Sequence, residues 1–256
     1  MNKVLGDFAI NPARLWCHDL LMSDATVNSV SAVLPAEPRY TWGPRAYSQG
    51  EVFADAIVHI AGIVFAVVGS GILLAFAIAW THGAAIAATV PYCIGLIAMI
   101  ACSMAYNMTP PSARREFLRR FDHAAIFLMI AGSYTPFTTL YLTGAWAISI
   151  TIVVWVIAVA GVTLKLFFPS RFEKLSLAVY LMMGWIVVVP LEQLWGTMGG
   201  ASMLLLGIGG VLYTAGTAFH VWHGLKFQNA IWHIFVLAAA GCHYAAVTMS
   251  VLNAPA

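Results

Sequence analysis

Charged side chains are scarce in this chain. Asp, Glu, Lys and Arg make up 9% of its 256 residues, whereas 61% are hydrophobic and the mean hydropathy is +0.86. Soluble globular domains have about 25% charged residues, so this composition excludes that class and indicates a polytopic membrane protein. The formal net charge of +2 says little by itself, because the positions of the charges carry the information.

Cysteine is equally sparse, with four residues at positions 17, 93, 102 and 242 and no C-x-x-C spacing. Three of them fall inside apolar runs, so we interpret them as small buried hydrophobic residues rather than as disulfide partners or metal ligands. The N-terminal segment lacks an apolar core of signal-peptide length, and we expect it to stay on the protein.

Seven long apolar runs dominate the rest of the sequence. They cover residues 56–80, 86–107, 124–142, 145–164, 175–191, 201–222 and 230–252. Each is close to the ~20 residues that a helix needs to cross a membrane, and in lipid a helix satisfies its own backbone groups. We therefore predict an all-α fold, a seven-transmembrane helix bundle at residues 51–256, preceded by a loosely ordered cytosolic extension at residues 1–50. Pro190 is expected to end the fifth helix, and the glycines of "GIGGVLYTAG" predict close packing of the sixth.

Lys and Arg are absent from alternate loops, which predicts the orientation. All twelve lie before the first predicted helix or in every second loop after it: Lys3, Arg14, Arg39, Arg45, Arg114, Arg115, Arg119, Arg120, Lys165, Arg171, Lys174 and Lys226. By the positive-inside rule these segments are cytosolic, so the N-terminus is predicted inside and the C-terminus outside. That polarity is opposite to the one of G-protein-coupled receptors and disfavours that class.

Polar side chains gather at the predicted cytosolic ends of four helices. Burying an ionisable group in a membrane costs free energy, so such residues indicate function. The four clusters are Asp55 with His59, Ser103 with Asn107, Asp122 with His123, and Asn229 with His233. All lie within about two helical turns of the cytosol at ~1.5 Å per residue. If the helices turn these groups inward, one pocket results; the alternative is that each cluster only caps its own helix end near water.

The remaining histidines and Glu192 are interpreted more simply. His243 lies about 15 Å deeper in the seventh helix than His233 at ~1.5 Å per residue. His220 and His223 resemble membrane-interface residues, although their i, i+3 spacing could also bind a metal. His82 is expected in an outer loop, and Glu192 is expected at the outer membrane interface.

Four sequence blocks resemble, in order and spacing, those of the bacterial hemolysin III family. The blocks are "GEVFADAIVHIAG", "CSMAYN", "RRFDHAAIFLMIAGSYTPF" and "NAIWHIFVLAAAGCHYAAV". That family shares a superfamily with the adiponectin and progestin membrane receptors, which also have seven helices and an internal N-terminus. The resemblance covers about residues 48–252 and implies a location in the bacterial inner membrane.

The resemblance also implies a zinc site in the inner leaflet, formed by one His that ends helix two and two that open helix seven. An Asp of helix three would orient a zinc-bound water, as in catalytic zinc sites with an open position. This chain departs from that pattern at two ligands, because Asn107 and Asn229 occupy two of the three His positions and only His233 matches. Amide oxygens are poor zinc ligands, so we predict no zinc or weakly bound zinc at the family position.

Several functions fit this pattern. We favour a non-catalytic, lipid-binding or membrane-modifying protein whose pocket contains Asp55, His59, Asn107 and Asn229. The first alternative is a zinc-dependent hydrolase of ceramide-like lipid amides, with Asp122 as base and Ser103 assisting the oxyanion. A second is a pore-forming haemolysin, and a weaker one is an ion transporter using His243. A further possibility keeps a metal on His233, Asp122 and His59. Membrane lipids are the expected partners, nucleic acid is not, and an oligomer is possible.

Overall fold

The computed structural model describes residues 47–168 and 171–254, and within these ranges the chain is helical. Most of the predicted extension, residues 1–46, lies outside the described residues. The helices are α1 (Gln49–Trp80), α2 (Gly83–Asn107), α3 (Ala113–Leu140), α4 (Gly144–Phe167), α5 (Glu173–Trp185), α6 (Leu191–Thr197), α7 (Gly200–Val221) and α8 (Gln228–Leu252). A short 3₁₀ turn, Ile186–Val188, joins α5 to α6. The all-α prediction is confirmed for this part of the chain.

Among the described residues, five helices are long and apolar enough to cross a membrane: α1, α2, α4, α7 and α8. A sixth span is obtained if α5 and α6, which meet at a 53° bend, are counted together. The chain is therefore a membrane protein. That it crosses the membrane seven times, with the N-terminus inside and the C-terminus outside, stays a prediction. The bend lies at Pro190, where the sequence predicted the end of a helix.

The break between α5 and α6 is held by one phenol group of α3. The hydroxyl of Tyr134 donates to the carbonyl oxygen of Met183 at 2.7 Å and accepts from the backbone N–H of Val187 at 2.8 Å. A non-helical turn leaves backbone groups without intrahelical partners, and burying such groups unpaired is costly. Tyr134 supplies those partners.

Helix α3 has the most buried surroundings in the described part of the chain, since every residue from 131 to 138 is buried. Two glycines allow the backbones of α2 and α3 to come into direct contact. A Cβ atom added at Gly132 would lie 2.5 Å from the carbonyl oxygen of Pro91, and one at Gly95 would lie 3.0 Å from the Cα of Met129. Small residues commonly permit such close crossings between membrane helices.

Glycines also set the packing of α8. Gly209 and Gly216 of α7 lie against His243 and against the side chains of Trp232 and Phe235, which confirms the close packing predicted from "GIGGVLYTAG". On its other side α8 packs against α1, where the hydroxyl of Tyr244 donates to the carbonyl oxygen of Gly69 at 2.8 Å. Helix α8 is therefore held between α1 and α7.

One carboxylate connects the starts of α1 and α8. Glu51 forms a capping box with Ser48, in which its Oε2 accepts from the Ser48 N–H at 3.0 Å. Its second oxygen accepts from the N–H of Phe227 at 2.8 Å. Phe227 has a φ of 59°, in the left-handed region that residues other than glycine seldom adopt. Glu51 thus fixes the entry of α8 beside the first turn of α1.

Helix α1 has a polar buried edge and an apolar exposed face. The buried residues recur every three or four positions: Glu51, Asp55, His59, Gly62, Ala66, Gly69, Ser70, Leu73 and Ala77. The opposite face exposes large apolar residues such as Ile57 and Val64, which in a membrane would face lipid. The charged or ionisable members, Glu51, Asp55 and His59, occupy the first three turns, so α1 contributes these side chains at one end.

Candidate functional site

Asp55 is the centre of the polar cluster that forms where α1, α2 and α8 meet. Its Oδ1 lies 2.6 Å from Nδ1 of His233, and its Oδ2 accepts from the side-chain amide of Asn229 at 3.3 Å. The carboxylate is 5% exposed. A buried carboxylate requires charged or hydrogen-bonding partners, and α8 provides two of them. Two of the predicted clusters are therefore in direct contact.

The two asparagines that stand at family ligand positions bond to each other. The side-chain amide of Asn229 donates to Oδ1 of Asn107 at 3.1 Å. The amide of Asn107 in turn donates to the backbone oxygen of Ser103 at 3.0 Å and to its Oγ at 3.3 Å. Amides both donate and accept, which allows this chain of bonds to connect α8 with α2.

Ser103 lies between two imidazole rings. Its Oγ is 3.3 Å from Nε2 of His59 and 3.5 Å from Nε2 of His233. The two rings are close to perpendicular, with centroids 4.3 Å apart and an interplanar angle of 68°. Residues from α1, α2 and α8 therefore converge on one hydroxyl group.

Asp122 and His123 approach the cluster from α3. Nδ1 of His123 lies 3.4 Å from Oδ2 of Asp122 and 2.9 Å from the backbone oxygen of Arg119. Asp122 is close enough to Ser103 and His233 to interact electrostatically with both. The structure thus brings the residues predicted as catalytic, Asp122 and Ser103, to the same place as His233. Their roles in catalysis stay predictions.

A cavity of about 240 Å³ opens from this cluster toward α5 and α7. The polar groups on its wall include His59, Ser103, Asp122 and His233, whereas most of the other lining residues are aliphatic or aromatic. Asp55, Asn107 and Asn229 are not among the lining residues. The predicted pocket residues therefore divide into a layer that faces the cavity and a layer that supports it from behind.

Two further histidines contribute to the cavity. His220, which from the sequence resembles a membrane-interface residue, lines the cavity, and its ring contacts that of Trp232 with centroids 5.0 Å apart. The reason is that α7 packs along α8 and turns this residue inward. His243 lines the cavity farther along α8 and contacts the ring of Tyr213 at 5.5 Å. Both enlarge the histidine content of the site beyond the four predicted clusters.

The residues present match the zinc pattern that the resemblance implies only in part. Of its three imidazoles only His233 remains, and the side-chain amides of Asn107 and Asn229 are engaged in the bonds described above. A second grouping is more suitable: one ligand atom each from Asp55, His59 and His233 lie within 4.8 Å of one another. The carboxylate of this trio is Asp55, whereas the sequence had suggested Asp122.

Sequence reasoning overlooked two residues that position the site. Glu51 was overlooked although "SQGE", residues 48–51, carries the capping-box spacing of Ser and Glu. Tyr180 of α5 lines the cavity, and its hydroxyl donates to the backbone oxygen of His123 at 2.8 Å. No motif marks Tyr180, because its role depends on how α5 packs against α3.

Comparisons with known proteins agree with this architecture. Residues 51–244 match the family described as Haemolysin-III related. The chain is 32% identical over 205 residues to Hemolysin-3 homolog of Bacillus subtilis (strain 168), which covers 80% of this chain and 96% of the relative. It is 33% identical to Hemolysin-3 of Bacillus cereus over 203 residues, 79% of this chain and 92% of the relative. It is 28% identical over 236 residues to the human Monocyte to macrophage differentiation factor, 86% of this chain and 91% of the relative. The chain belongs to the haemolysin-III related family of membrane proteins.

Proposed function

We propose that this protein is a seven-span component of the bacterial inner membrane whose cavity binds the polar end of a membrane lipid without hydrolysing it. The observation that carries the proposal is the composition of the cavity wall. One end presents imidazole, hydroxyl and carboxylate groups, and the rest is mainly apolar. Small-molecule sites typically combine an apolar wall with a few converging polar groups, and a lipid has the same division between head and chain.

The polar end of the cavity is rich in hydrogen-bond acceptors. The carboxylate of Asp122 on the cavity wall accepts only, and Nδ1 of both His59 and His233 lies against an acceptor oxygen, at 2.8 and 2.6 Å. In neutral imidazole the other nitrogen then accepts as well. A head group that donates hydrogen bonds, such as an amide N–H, a hydroxyl or an amine, would complement these acceptors.

The proposed topology is supported by the position of the site and of the basic residues. Counting α3 and the bent pair α5–α6 as one span each adds two to the five helices identified by length and composition. The first turns of α3 hold Arg114, Arg115, Arg119 and Arg120, next to the site residue Asp122. With these basic turns in the cytosol, the site lies in the inner leaflet.

Lipid-amide hydrolysis is the second candidate, because Ser103, Asp122 and His233 all line the cavity. Non-catalytic binding is preferred because two of the three zinc ligands of the family pattern are replaced by asparagines that bond to each other. Replacing an imidazole by a neutral amide removes the type of ligand that zinc prefers.

Purified protein in detergent provides the test, by thermal unfolding with a panel of lipids whose head groups differ in hydrogen-bond donors. We expect donor-bearing lipids to raise the unfolding midpoint, and the same mixtures to contain no released fatty acid by mass spectrometry. Ile130→Trp fills the cavity and should abolish the effect, whereas Ile152→Trp, on an exposed face of α4, should retain it. Fatty acid release that Ser103→Ala prevents would establish the hydrolase instead, and stabilisation that survives Ile130→Trp would refute binding in this cavity.

A further inference from the structure

His59 and His233 are oriented like a pair of metal ligands. They belong to different helices, α1 and α8, yet the Nε2 atoms of both approach the same hydroxyl, that of Ser103, at 3.3 and 3.5 Å. Histidines that bind metals generally use one ring nitrogen for the ion and donate the other N–H to a carboxylate or a backbone carbonyl. Both kinds of partner are supplied here by one residue, Asp55.

The hydrogen-bond partners determine the tautomers of the two rings. Nδ1 of His59 lies 2.8 Å from the backbone carbonyl oxygen of Asp55, which can only accept, so that nitrogen carries a proton. Nδ1 of His233 lies 2.6 Å from the Asp55 carboxylate, so it also carries a proton. In the neutral rings both Nε2 atoms therefore present lone pairs, and both are directed toward Ser103.

These two lone pairs face a single hydroxyl proton. Ser103 can donate that proton to one imidazole, and its oxygen already accepts from the side-chain amide of Asn107 at 3.3 Å. The second imidazole is left opposite an oxygen, while the carboxylates of Asp55 and Asp122 add negative charge nearby. A cation coordinated by both Nε2 atoms would interact with both lone pairs and would offset the charge of the two carboxylates.

We propose that His59 and His233 coordinate a divalent transition-metal ion of the zinc class through their Nε2 atoms. Oxygen atoms of Ser103 and Asp122, on the cavity side, complete the coordination, and Asp55 orients the two rings from behind. Two imidazoles with oxygen ligands suit Zn²⁺ and Co²⁺ better than Mg²⁺ or Ca²⁺, which prefer oxygen alone. Of the three imidazoles in the family pattern this set keeps only His233 and adds His59, whereas Asp122 belongs to both sets. The proposal does not depend on whether the cavity binds a lipid.

Cobalt binding tests the proposal, because Co²⁺ bound to imidazole has visible absorption bands and Zn²⁺ displaces it. Tag-free, metal-depleted protein in detergent is titrated with Co²⁺ and then with Zn²⁺. We expect one equivalent to bind, and the bands to disappear in His59→Ala and in His233→Ala. Asp55→Asn should weaken binding about 10- to 100-fold, the usual effect of losing a residue that orients a metal-bound histidine. His82→Ala, outside the cluster, is the matched control and should bind like the parent protein.

Further variants distinguish this ligand set from the family one. Asn107→Ala and Asn229→Ala remove the amides at the family positions and should keep the cobalt bands, since the bands arise from His59 and His233. Loss of the bands in both asparagine variants with retention in His59→Ala would overturn the proposal, as would no binding by the parent protein. Far-UV circular dichroism identifies variants that fail to fold, and His59→Gln, which keeps a polar side chain of similar reach, replaces His59→Ala in that case.

Discussion

Replacing Gly132 by alanine tests the close approach of α2 and α3 most directly. The new methyl group would lie 2.5 Å from the carbonyl oxygen of Pro91, 3.0 Å from its carbonyl carbon and 3.3 Å from the Cα of Tyr92. All three atoms belong to the backbone, so no side-chain rotation can relieve the overlap. The helices would have to separate by about 0.5–1 Å to restore ordinary van der Waals contact.

The expected cost follows from this geometry. Overpacking a well-packed interior typically costs about 1–3 kcal/mol, and a backbone overlap belongs at the upper end of that range. Alanine recovers about 1 kcal/mol over glycine within a helix, which leaves Gly132→Ala less stable by about 2 kcal/mol. Gly71 of α1 is the matched control, because a Cβ atom there meets no atom within 4 Å. Gly71→Ala should therefore be neutral or more stable by up to about 1 kcal/mol.

Equilibrium unfolding in detergent, followed by far-UV circular dichroism, measures both variants. The predicted difference between them is about 2–3 kcal/mol, which is roughly 30- to 100-fold in the unfolding equilibrium at about 1.4 kcal/mol per factor of ten. If Gly132→Ala and Gly71→Ala unfold at the same denaturant concentration, α2 and α3 do not approach as closely as described. The overlap argument for Gly132 would then be refuted.

Three other changes probe separate features. Tyr134→Phe should destabilise the fold by about 1–3 kcal/mol, because the backbone groups at the break after α5 lose their partner; an unchanged thermal midpoint would contradict this. Glu51→Ala should cost about 1 kcal/mol as a lost helix cap and speed hydrogen exchange at the Phe227 amide, whereas unaltered exchange there would disprove the bridge between α1 and α8. The Asn107→His/Asn229→His double variant should raise zinc affinity at least about tenfold, because it adds two imidazole ligands. Competition with a chelator measures the affinity, and no gain would show that these positions cannot reach the ion.

The helices themselves were predictable from the sequence, because apolar runs of membrane-spanning length leave few alternatives. The helix starts were less predictable. The first apolar run begins at residue 56, but α1 begins at Gln49, since Ser48 and Glu51 cap a polar turn that hydropathy does not detect. Helix α3 contains the third predicted run yet is not among the spans recognised by composition, because its first turns hold arginines and its buried half holds Ser and Thr residues.

The members of the polar cluster were predictable, but their hydrogen-bond partners were not. Asp55, His59, Ser103 and His233 could be selected because polar residues at helix ends in a membrane protein are costly and therefore informative. That Asp55 rather than Asp122 bonds His233 depends on the rotation of α1 against α8, which the i, i+4 spacing within one helix cannot specify. The place of His220 on the cavity wall could not be predicted for the same reason, since it depends on the packing of α7 on α8.

The carboxylate shared by two helix starts has a mechanical consequence. Glu51 lies two turns before His59 on α1, and the Phe227 amide that it binds lies six residues before His233 on α8. Sliding either helix along the other by one turn, about 5.4 Å, would break this bond and also separate the two imidazoles. The position of the histidine pair along the bundle is therefore set at the starts of α1 and α8, so changes in the short connection before α8 would reach the buried site without touching any of its residues.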